Sequence, residues 1–221
     1  GGFGLARLQA SELFVTSASG ADAALRAIAL GTAGDQLNLS AGTHILGSTL
    51  FLTKDIDVVG QGKGVTVIDA SGHGSYGIRV HADDVALSGF TLNGSAAATN
   101  AAYGIKVESG GAASERNTGF AISDVVVAGS RKTGLDLNAV VGATIDGVSV
   151  SGVVAGNGIA ITDSANVTVR NSSTTGNAWG GLALYQSNNI AGGGSDQRLD
   201  NVTIAASNAF RSRRLSCAER P

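Results

Sequence analysis

Ionisable residues recur on three successive copies of one short phrase, in which a glycine is followed by alternating apolar and polar positions. The first copy carries Arg79 and His81, the second Lys106 and Glu108, and the third Asp136. Two neighbouring cations could hold the carboxylate of an acidic sugar, and a bound cation makes the carbon-bound proton beside that carboxylate easier to remove. With His81 or Lys106 as the base, this set predicts lyase chemistry on a uronate.

An elimination also needs an acid that supports the leaving oxygen, and Tyr185 is a candidate of suitable type. Tyr185 is expected four coils from His81, about 19 Å at the spacing of paired strands, so both cannot serve one sugar. We therefore expect a single site among the five residues above and Asn138. Tyr103, Trp179 and Tyr185 are possible sugar-binding neighbours on which a ring could stack.

A glycoside hydrolase is a second enzymatic interpretation of the same residues. Glu108 and Asp136 are expected one coil apart and two residues out of register, about 8 Å from strand and interstrand spacings. Inverting hydrolases hold their two carboxyl groups about 6.5–9.5 Å apart. The pair therefore fits an inverting mechanism.

A non-catalytic interpretation also stays open, in which the charges form a solvated and partly compensated ladder. Arg79 and Lys106 stack as like charges, which is unfavourable by itself. Asp136 follows Lys106 on its other side, Glu108 lies diagonal to both cations, and His81 stacks on Glu108. Such a balanced face is a common solution for an exposed sheet.

The elements that position these residues follow from the repeat. The phrase occurs as YGIRV (76–80), YGIKV (103–107), TGLDL (133–137), NGIAI (157–161) and GGLAL (180–184), and its glycines recur after 27, 30, 24 and 23 residues. A period of about 20–50 residues indicates a solenoid, and the alternation within each phrase is that of a strand. With 49–53 as an earlier copy, we predict one such strand per coil, stacked into a parallel sheet.

Stacking these strands places every second residue in a column. Two columns are apolar and are predicted to be core: Leu50, Ile78, Ile105, Leu135, Ile159, Leu182 and Leu52, Val80, Val107, Leu137, Ile161, Leu184. The two outward columns are Phe51, Arg79, Lys106, Asp136, Ala160, Ala183 and Thr53, His81, Glu108, Asn138, Thr162, Tyr185.

A second repeated feature is a corner between two further strands of each coil. It is occupied only by residue types that tolerate left-handed backbone geometry, which a one-residue bend between strands requires. The predicted corner residues are Gly89, Asp124, Gly147, Asn171 and Asn201.

The ends of the chain differ from the repeat. Residues 20–30 place Ala24, Leu25, Ile28 and Ala29 at helical spacing before Gly31, which predicts a short helix that caps the solenoid. We expect one β-helix domain over 1–209, with its cap at about 15–45, and an irregular tail over 210–221. Insertions at 95–102, 109–118 and 187–197 are expected to line one edge of the parallel sheet that the repeated phrase forms.

Composition excludes several protein classes. The 221 residues include 33 Gly and one Pro, are 43% hydrophobic and 14% charged, and carry a net charge of −2. This is too apolar for a disordered chain, the glycines lack collagen spacing, and no basic stripe suggests nucleic acid. No apolar run is long enough to span a membrane.

The chain contains no Met and a single cysteine, Cys217. Without an initiator Met or a signal-peptide pattern, we expect that the chain begins after processing or trimming. One cysteine excludes an internal disulfide, which suits an exported protein or a cytosolic one.

These features together resemble the right-handed parallel β-helix of the pectin lyase superfamily, with short coils similar to the CASH and NosD-like repeats. The segments GDQLNLSAGTH (34–44) and VVGQGKGVTVID (58–69) are similar to the first coils of such proteins. The resemblance covers roughly residues 15–209 and implies an all-β solenoid with a short N-terminal capping helix. The resemblance does not specify a reaction, because the superfamily includes lyases, hydrolases, epimerases, tailspikes and adhesins.

Two signatures of enzymes with this fold are missing. The Asp-Pro-His-Asp-type motif of alginate epimerases cannot occur, since Pro221 is the only proline. The clustered aspartates with which pectate lyases bind calcium are not found, and the three histidines lack the spacing of zinc ligands. We therefore predict no metal and no cofactor; Ca²⁺ is conceivable but has no supporting motif.

The sequence thus predicts an exported, extracytoplasmic protein that acts on a polysaccharide partner, with a lyase on an acidic glycan as the leading hypothesis. The alternatives are a non-catalytic glycan-binding or structural β-helix like a tailspike or adhesin, and the inverting hydrolase. We expect no nucleic-acid partner and no membrane span. Self-association through an uncapped C-terminal coil is a further expectation.

Overall fold

The fold is given by a computed structural model, which describes residues 10–95, 102–111, 115–186 and 200–205. It is built almost entirely of parallel strands, with one α-helix, α1 (Ala23–Leu30), and a 3-10 turn (Ser17–Ser19) among the described residues. The strands are β1 (Glu12–Val15), β2 (Asp35–Leu39), β3 (Gly42–Ile45), β4 (Leu50–Leu52), β5 (Ile56–Val59), β6 (Thr66–Asp69), β7 (Ile78–Val80), β8 (Ala86–Asn93), β9 (Ile105–Val107), β10 (Asn117–Thr118), β11 (Ala121–Ser130), β12 (Leu135–Asn138), β13 (Val140–Val141), β14 (Thr144–Asp146), β15 (Ser149–Val153), β16 (Asn157–Thr162), β17 (Ala165–Arg170), β18 (Ser173–Thr175), β19 (Gly180–Tyr185) and β20 (Asp200–Ala205).

The repeated phrase forms a six-stranded parallel sheet in the order β4–β7–β9–β12–β16–β19. The remaining fourteen strands form a second sheet that bends around the other sides of the solenoid. Leu50 pairs with Ile78, Ile78 with Ile105 and Ile105 with Leu135, which is the predicted register. The sheet that was expected to carry the site is therefore confirmed residue by residue.

The two apolar columns form the core, with one exception at the β19 end. From β4 to β16 every member of both columns is fully buried. In β19, Leu182 is only half-buried and Leu184 is 42% exposed, so the prediction that Leu184 is core is wrong. Within the described ranges, β19 pairs on one side only, with β16, and this leaves one flank of Leu184 uncovered.

The glycine of the phrase is required by close packing between coils. A Cβ atom placed on Gly77 would lie 2.7 Å from the carbonyl oxygen of Gly104, and one on Gly158 would lie 2.8 Å from that of Gly181. Real Cβ atoms do not approach an oxygen so closely, so a side chain at these positions would push the coils apart. The repeat of this glycine thus reflects the coil spacing and not a positive φ.

The predicted corner is confirmed for four of its five residues. Gly89, Asp124, Gly147 and Asn171 all have a left-handed backbone, with φ between 51° and 70°. They share one register position, because their flanking residues pair between adjacent coils.

Asn201 is left-handed too, with φ 46°, but its predicted place in that column is wrong. Because Ala165 pairs with Asp200, Asn201 lies beside Asn166, and its Nδ2 donates to Asn166 Oδ1 at 2.8 Å. A second left-handed column that the sequence analysis missed therefore runs through the solenoid, and its members are Asp84, Gly119, Gly142, Asn166 and Asn201. The same residue types serve both corners, so residue type alone could not assign Asn201 to one of them.

The N-terminal helix is confirmed, and a strand precedes it. Ala24 and Ile28 of α1 join the core, but Ala29 is exposed, contrary to the helical face predicted from spacing. Lys54 Nζ donates to the backbone carbonyl of Gly31 at 2.5 Å, which ties the end of the helix to the coil that follows β4. Strand β1 was not predicted; it pairs with β2 and is packed against α1.

Several expectations fall partly or wholly outside the described residues. These are the tail over 210–221 with Cys217, the insertion at 187–197 and most of the insertion at 95–102. In the part of the chain that the structure describes, no helix has the length and apolar character needed to cross a membrane.

Candidate functional site

Three adjacent strands bring the predicted ionisable residues together. Arg79 of β7 pairs with Lys106 of β9, and Lys106 pairs with Asp136 of β12. His81 and Glu108 follow two residues later on the same side of the first two strands, since successive side chains alternate between faces. All five predicted catalytic residues therefore form one cluster on the outer face of the six-stranded sheet.

Lys106 and Asp136 form the buried centre of the cluster. Lys106 Nζ lies 2.5 Å from Asp136 Oδ2, and the two residues are only 8% and 6% exposed. A solvated charge ladder is therefore the wrong description of these two positions, although both point away from the core. Charged residues are rarely buried to this extent unless they are paired.

This pairing makes Lys106 a poor base. Burial by itself lowers the pKa of Lys106, but the charge of Asp136, its hydrogen bond and the charge of Glu108 together raise that pKa above its ordinary value. At neutral pH Lys106 is thus protonated and has no free electron pair. Of the two bases considered from the sequence, only His81 is compatible with these contacts.

Glu108 connects the three other side chains. Its Oε1 lies 2.5 Å from Arg79 Nη2 and 3.3 Å from His81 Nε2, and its Oε2 lies 3.6 Å from Lys106 Nζ. Burial acts to raise the pKa of Glu108, but Lys106, Arg79 and the hydrogen bond with His81 lower it below the ordinary range. Glu108 is therefore an anion that holds the cluster together.

Aromatic rings contact both of the stacked cations. The guanidinium carbon of Arg79 lies 5.4 Å from the ring centre of Phe51 and 4.9 Å from that of Tyr76. Lys106 Nζ lies 4.8 Å from the ring centre of Tyr103. Cation–π contacts of this kind partly offset the repulsion between Arg79 and Lys106.

Tyr76 and Lys132 belong to this surface and were missed as site residues. The rings of Tyr76 and Tyr103 are stacked with their centres 5.5 Å apart and their planes 10° apart. The signal was present for Tyr76, which precedes the glycine of its phrase as Tyr103 does. Lys132 precedes the third phrase, and its Nζ lies 5.4 Å from the ring centre of Tyr103.

His81 also borders an open cleft. Its ring packs edge-on against Phe51, with 4.6 Å between the ring centres, and its Nε2 contacts Glu108. The cleft has a volume of about 290 Å³ and is lined by Thr53, His81, Asp83, Ser109, Gly110, Gly111, Glu115 and Arg116. The described parts of the insertion at 109–118 thus lie at the predicted edge of the sheet.

Gly110 lies directly against His81 in this cleft. A Cβ atom at Gly110 would lie 2.9 Å from His81 Cβ and 3.1 Å from His81 Nδ1. If Nε2 donates its proton to Glu108, Nδ1 is the nitrogen with a free electron pair. The absence of a side chain at residue 110 therefore keeps space beside the nitrogen that would act as a base.

The predicted sugar-binding residues are not all close to the cluster. Asn138 is half-buried beside Glu108 in the outward column, and Tyr103 contacts Lys106. Tyr185 and Trp179 belong to the coil of β19, two strands beyond β12. Asn157 Nδ2 donates to the Tyr185 hydroxyl at 2.9 Å, and Trp179 is 65% exposed. Tyr185 is thus unsuited to act as the acid for His81, as its predicted distance indicated.

The contacts of Glu108 and Asp136 argue against the inverting hydrolase. Both carboxylates approach the same ammonium, Glu108 at 3.6 Å and Asp136 at 2.5 Å, so each is engaged by a cation. Lys106 also occupies the space between them. An inverting enzyme needs one carboxyl group that is protonated, whereas the pKa of Glu108 is lowered.

The ion pairs of Glu108 and Asp136 also affect whether these carboxylates could bind calcium. Calcium sites in proteins consist of six to eight oxygen ligands, whereas Glu108 and Asp136 are each engaged by cationic side chains. Across the described ranges, no group of three or more His, Cys, Asp or Glu residues is arranged to hold a metal ion.

Comparisons with known proteins identify similar β-helix architectures. A family model described as "Right handed beta helix region" matches residues 110–191. No curated protein sequence matches the chain.

Three solved structures share the fold at low sequence identity. Pectate lyase Pel9A has a TM-score of 0.63 at 16% identity, covering 80% of this chain and 50% of its own. The PL6 family alginate lyase AlyGC has a TM-score of 0.54 at 16% identity, covering 80% of this chain and 28% of its own. ORF18 of Geobacillus virus E2 has a TM-score of 0.64 at 14% identity, covering 88% of this chain and 41% of its own.

The chain thus spans half or less of the length of each of these three proteins. Similarity at this identity establishes architecture and leaves the activity to the residues of the site. The stacked parallel strands, the family match and these neighbours lead to one conclusion: the chain has the pectin lyase-like fold, a right-handed parallel β-helix.

Proposed function

We propose that this chain belongs to an exported protein that binds an acidic polysaccharide on the outer face of its six-stranded sheet and cleaves it by β-elimination. The observation that carries the proposal is the Arg79–Glu108–His81 arrangement at the edge of the cleft. It combines a partly exposed cation, an ionised carboxylate and an imidazole within contact of one another.

Arg79 is the residue suited to neutralise the substrate carboxylate. Its Nε donates to Glu108 Oε1 at 2.7 Å and its Nη2 contacts the same oxygen. A guanidinium has five N–H donors, and 31% of the Arg79 side chain is exposed. Arg79 can therefore bind a second carboxylate while Glu108 and the flanking rings keep it in place.

His81 is the residue suited to act as the base. Its contact with Glu108 orients the ring, as a base that removes a carbon-bound proton requires. Proton transfer from the sugar carbon to His81 leaves an electron pair that becomes the new carbon–carbon double bond. The adjacent carbon–oxygen bond then breaks, and the leaving oxygen takes its proton from water.

Lys106 and Asp136 support this chemistry without taking part in proton transfer. The ammonium of Lys106 is held by Asp136, and it contacts Glu108 at 3.6 Å. A fixed positive charge near the developing carbanion lowers the barrier because it needs no rearrangement during the reaction.

The test is to incubate the protein with polygalacturonate and with alginate and to follow the ultraviolet absorbance of the unsaturated product. The wild type is expected to release it, and His81→Gln is expected to abolish release while the unfolding midpoint stays unchanged. Lys63→Gln is the matched control, because Lys63 pairs with Asp124 of the other sheet and lies outside the cluster. Product release by His81→Gln at the wild-type rate would contradict the role of His81 as the base.

A non-catalytic glycan-binding β-helix is the second candidate, and one observation favours it. Both Arg79 and Lys106 are already paired with carboxylates, so a substrate must compete with or share these contacts. A binder retains polyuronates but forms no unsaturated product. Neither retention nor product with either polymer would contradict both candidates.

A further inference from the structure

An uncompensated positive charge lies beside the cluster, at residues that the proposed reaction does not use. Arg79 and Lys106 are balanced by Glu108 and Asp136. Lys132 differs: in the described part of the chain, no carboxylate lies within 4 Å of its ammonium group, and the same holds for its neighbour Arg131.

The position of Lys132 is well defined by its backbone. Its N–H donates to the Ala102 carbonyl at 3.0 Å, and its carbonyl accepts from Ser130 Oγ at 2.7 Å. The side chain is half-buried and extends over Tyr103, with Nζ 5.4 Å from the ring centre. Less conformational freedom is therefore lost when this lysine binds a ligand than for a lysine on a mobile loop.

The two stacked tyrosines form a platform next to this charge. Tyr76 and Tyr103 are both half-buried and stack nearly parallel to each other, with one ring on each of two neighbouring coils. Lys106 and Lys132 contact the Tyr103 ring, and Arg79 contacts the Tyr76 ring. An aromatic surface with cations at its border suits a ligand that has both an apolar face and a negative charge.

A uronate residue is such a ligand, because a pyranose ring has an apolar face and carries its carboxylate at the ring edge. A carboxylate that binds Lys132 displaces no existing ion pair in the described residues. At Lys106 it would compete with Asp136, which is 2.5 Å away and itself buried. Lys132 is therefore the more favourable partner for a further carboxylate.

We propose that Lys132 and the Tyr76–Tyr103 platform form a binding subsite for one uronate residue of an acidic polysaccharide, adjacent to the residue that would react at His81. This rests on the proposed function for the class of polymer. It adds a second anionic subsite, in which Lys132 selects for the carboxylate and the tyrosines support the ring.

The experiment compares binding of polygalacturonate and of its fully methyl-esterified form, which differ in charge but share a backbone. Lys132→Gln is expected to weaken binding of polygalacturonate roughly two- to fivefold at low salt, the effect of one partly exposed ion pair. Binding of the ester should stay unchanged, and Lys132→Arg should bind like the wild type. The difference should shrink at 1 M salt, where exposed charges are screened.

Lys63→Gln is the matched control, since the Lys63 side chain is 44% exposed and pairs with Asp124 of the other sheet, so its loss should not affect binding. Tyr103→Phe should bind normally, whereas Tyr103→Ala should weaken binding of both polymers. Equal binding of polygalacturonate by Lys132→Gln and the wild type overturns the subsite, as does an equal loss with Lys63→Gln. Failure of the wild type to bind polygalacturonate also overturns it.

The outcomes separate this subsite from the proposed reaction. If Lys132→Gln releases product with an unchanged KM, the result would support the lyase proposal and contradict the subsite. If the wild type forms no unsaturated product and Lys132→Gln binds the polymer more weakly, the result would support the subsite and contradict the lyase proposal.

Discussion

Lys106 and Asp136 form a buried ion pair on the outer side of the six-stranded sheet, with 2.5 Å between Nζ and Oδ2. The pair connects two neighbouring coils, because the residues are direct register partners on β9 and β12. It therefore links the stability of the solenoid to the electrostatics of the candidate site.

Removal of one partner of this pair should be costly. Asp136→Ala leaves the ammonium of Lys106 buried with only the longer contact to Glu108, and we expect a loss of about 3 kcal/mol in the free energy of unfolding. Urea denaturation monitored by circular dichroism measures it. The double variant Lys106→Met, Asp136→Leu should recover most of the loss, because no uncompensated charge remains; a loss below about 1 kcal/mol in Asp136→Ala would contradict a buried pair.

Stability should fall in acid in a way that depends on Glu108. The pKa of Glu108 is lower in the folded protein than its ordinary value, so the folded state favours the ionised form. Its contribution is fully present above the ordinary pKa of glutamate and is lost as the pH falls through the lowered folded pKa. Unfolding free energies between about pH 2 and 6 should therefore decline less steeply in Glu108→Gln than in the wild type. Parallel curves would show that Glu108 is not held as an anion.

Gly110 should affect turnover through His81. In Gly110→Ala the new methyl group would crowd His81 Cβ and Nδ1, so the imidazole must shift. We expect a roughly 10- to 100-fold lower kcat with little change in KM, as displacement of a catalytic group produces. Gly72→Ala is the control, because a Cβ there meets no atom within 4 Å. Unchanged kcat in Gly110→Ala would argue that His81 is not the base.

The corner column offers a test that isolates backbone conformation. Gly147 has φ 65°, and a Cβ there would be 3.6 Å from the nearest atom, so a side chain fits sterically. Gly147→Asn should cost less than about 1 kcal/mol, whereas Gly147→Val should cost about 1–2 kcal/mol or more, because branched residues resist the left-handed region. Thermal unfolding of the two variants gives the comparison, and equal stability would mean that the bend does not need this geometry.

Much of the architecture could be predicted because it depends on periodic features. The alternation of Ile78, Arg79 and Val80 determines which face each side chain takes, and stacking at one spacing then determines the register. The proximity of Arg79, Lys106 and Asp136 followed directly. Asn201 was misplaced because two corners share the same residue types, so the choice depends on pairing with Asn166.

Repeats and alternation are local properties of the chain, so the parallel solenoid, its core columns from β4 to β16 and the strands that carry the charged residues could all be predicted from the sequence. The chemical state of those charged residues, in contrast, became clear only from the folded arrangement. Burial of Lys106 against Asp136 excluded it as a base, and the contacts of Glu108 with Arg79 and His81 left the imidazole as the candidate. Protonation depends on the dielectric surroundings and the neighbouring charges of a side chain, and side chains from different coils create both together.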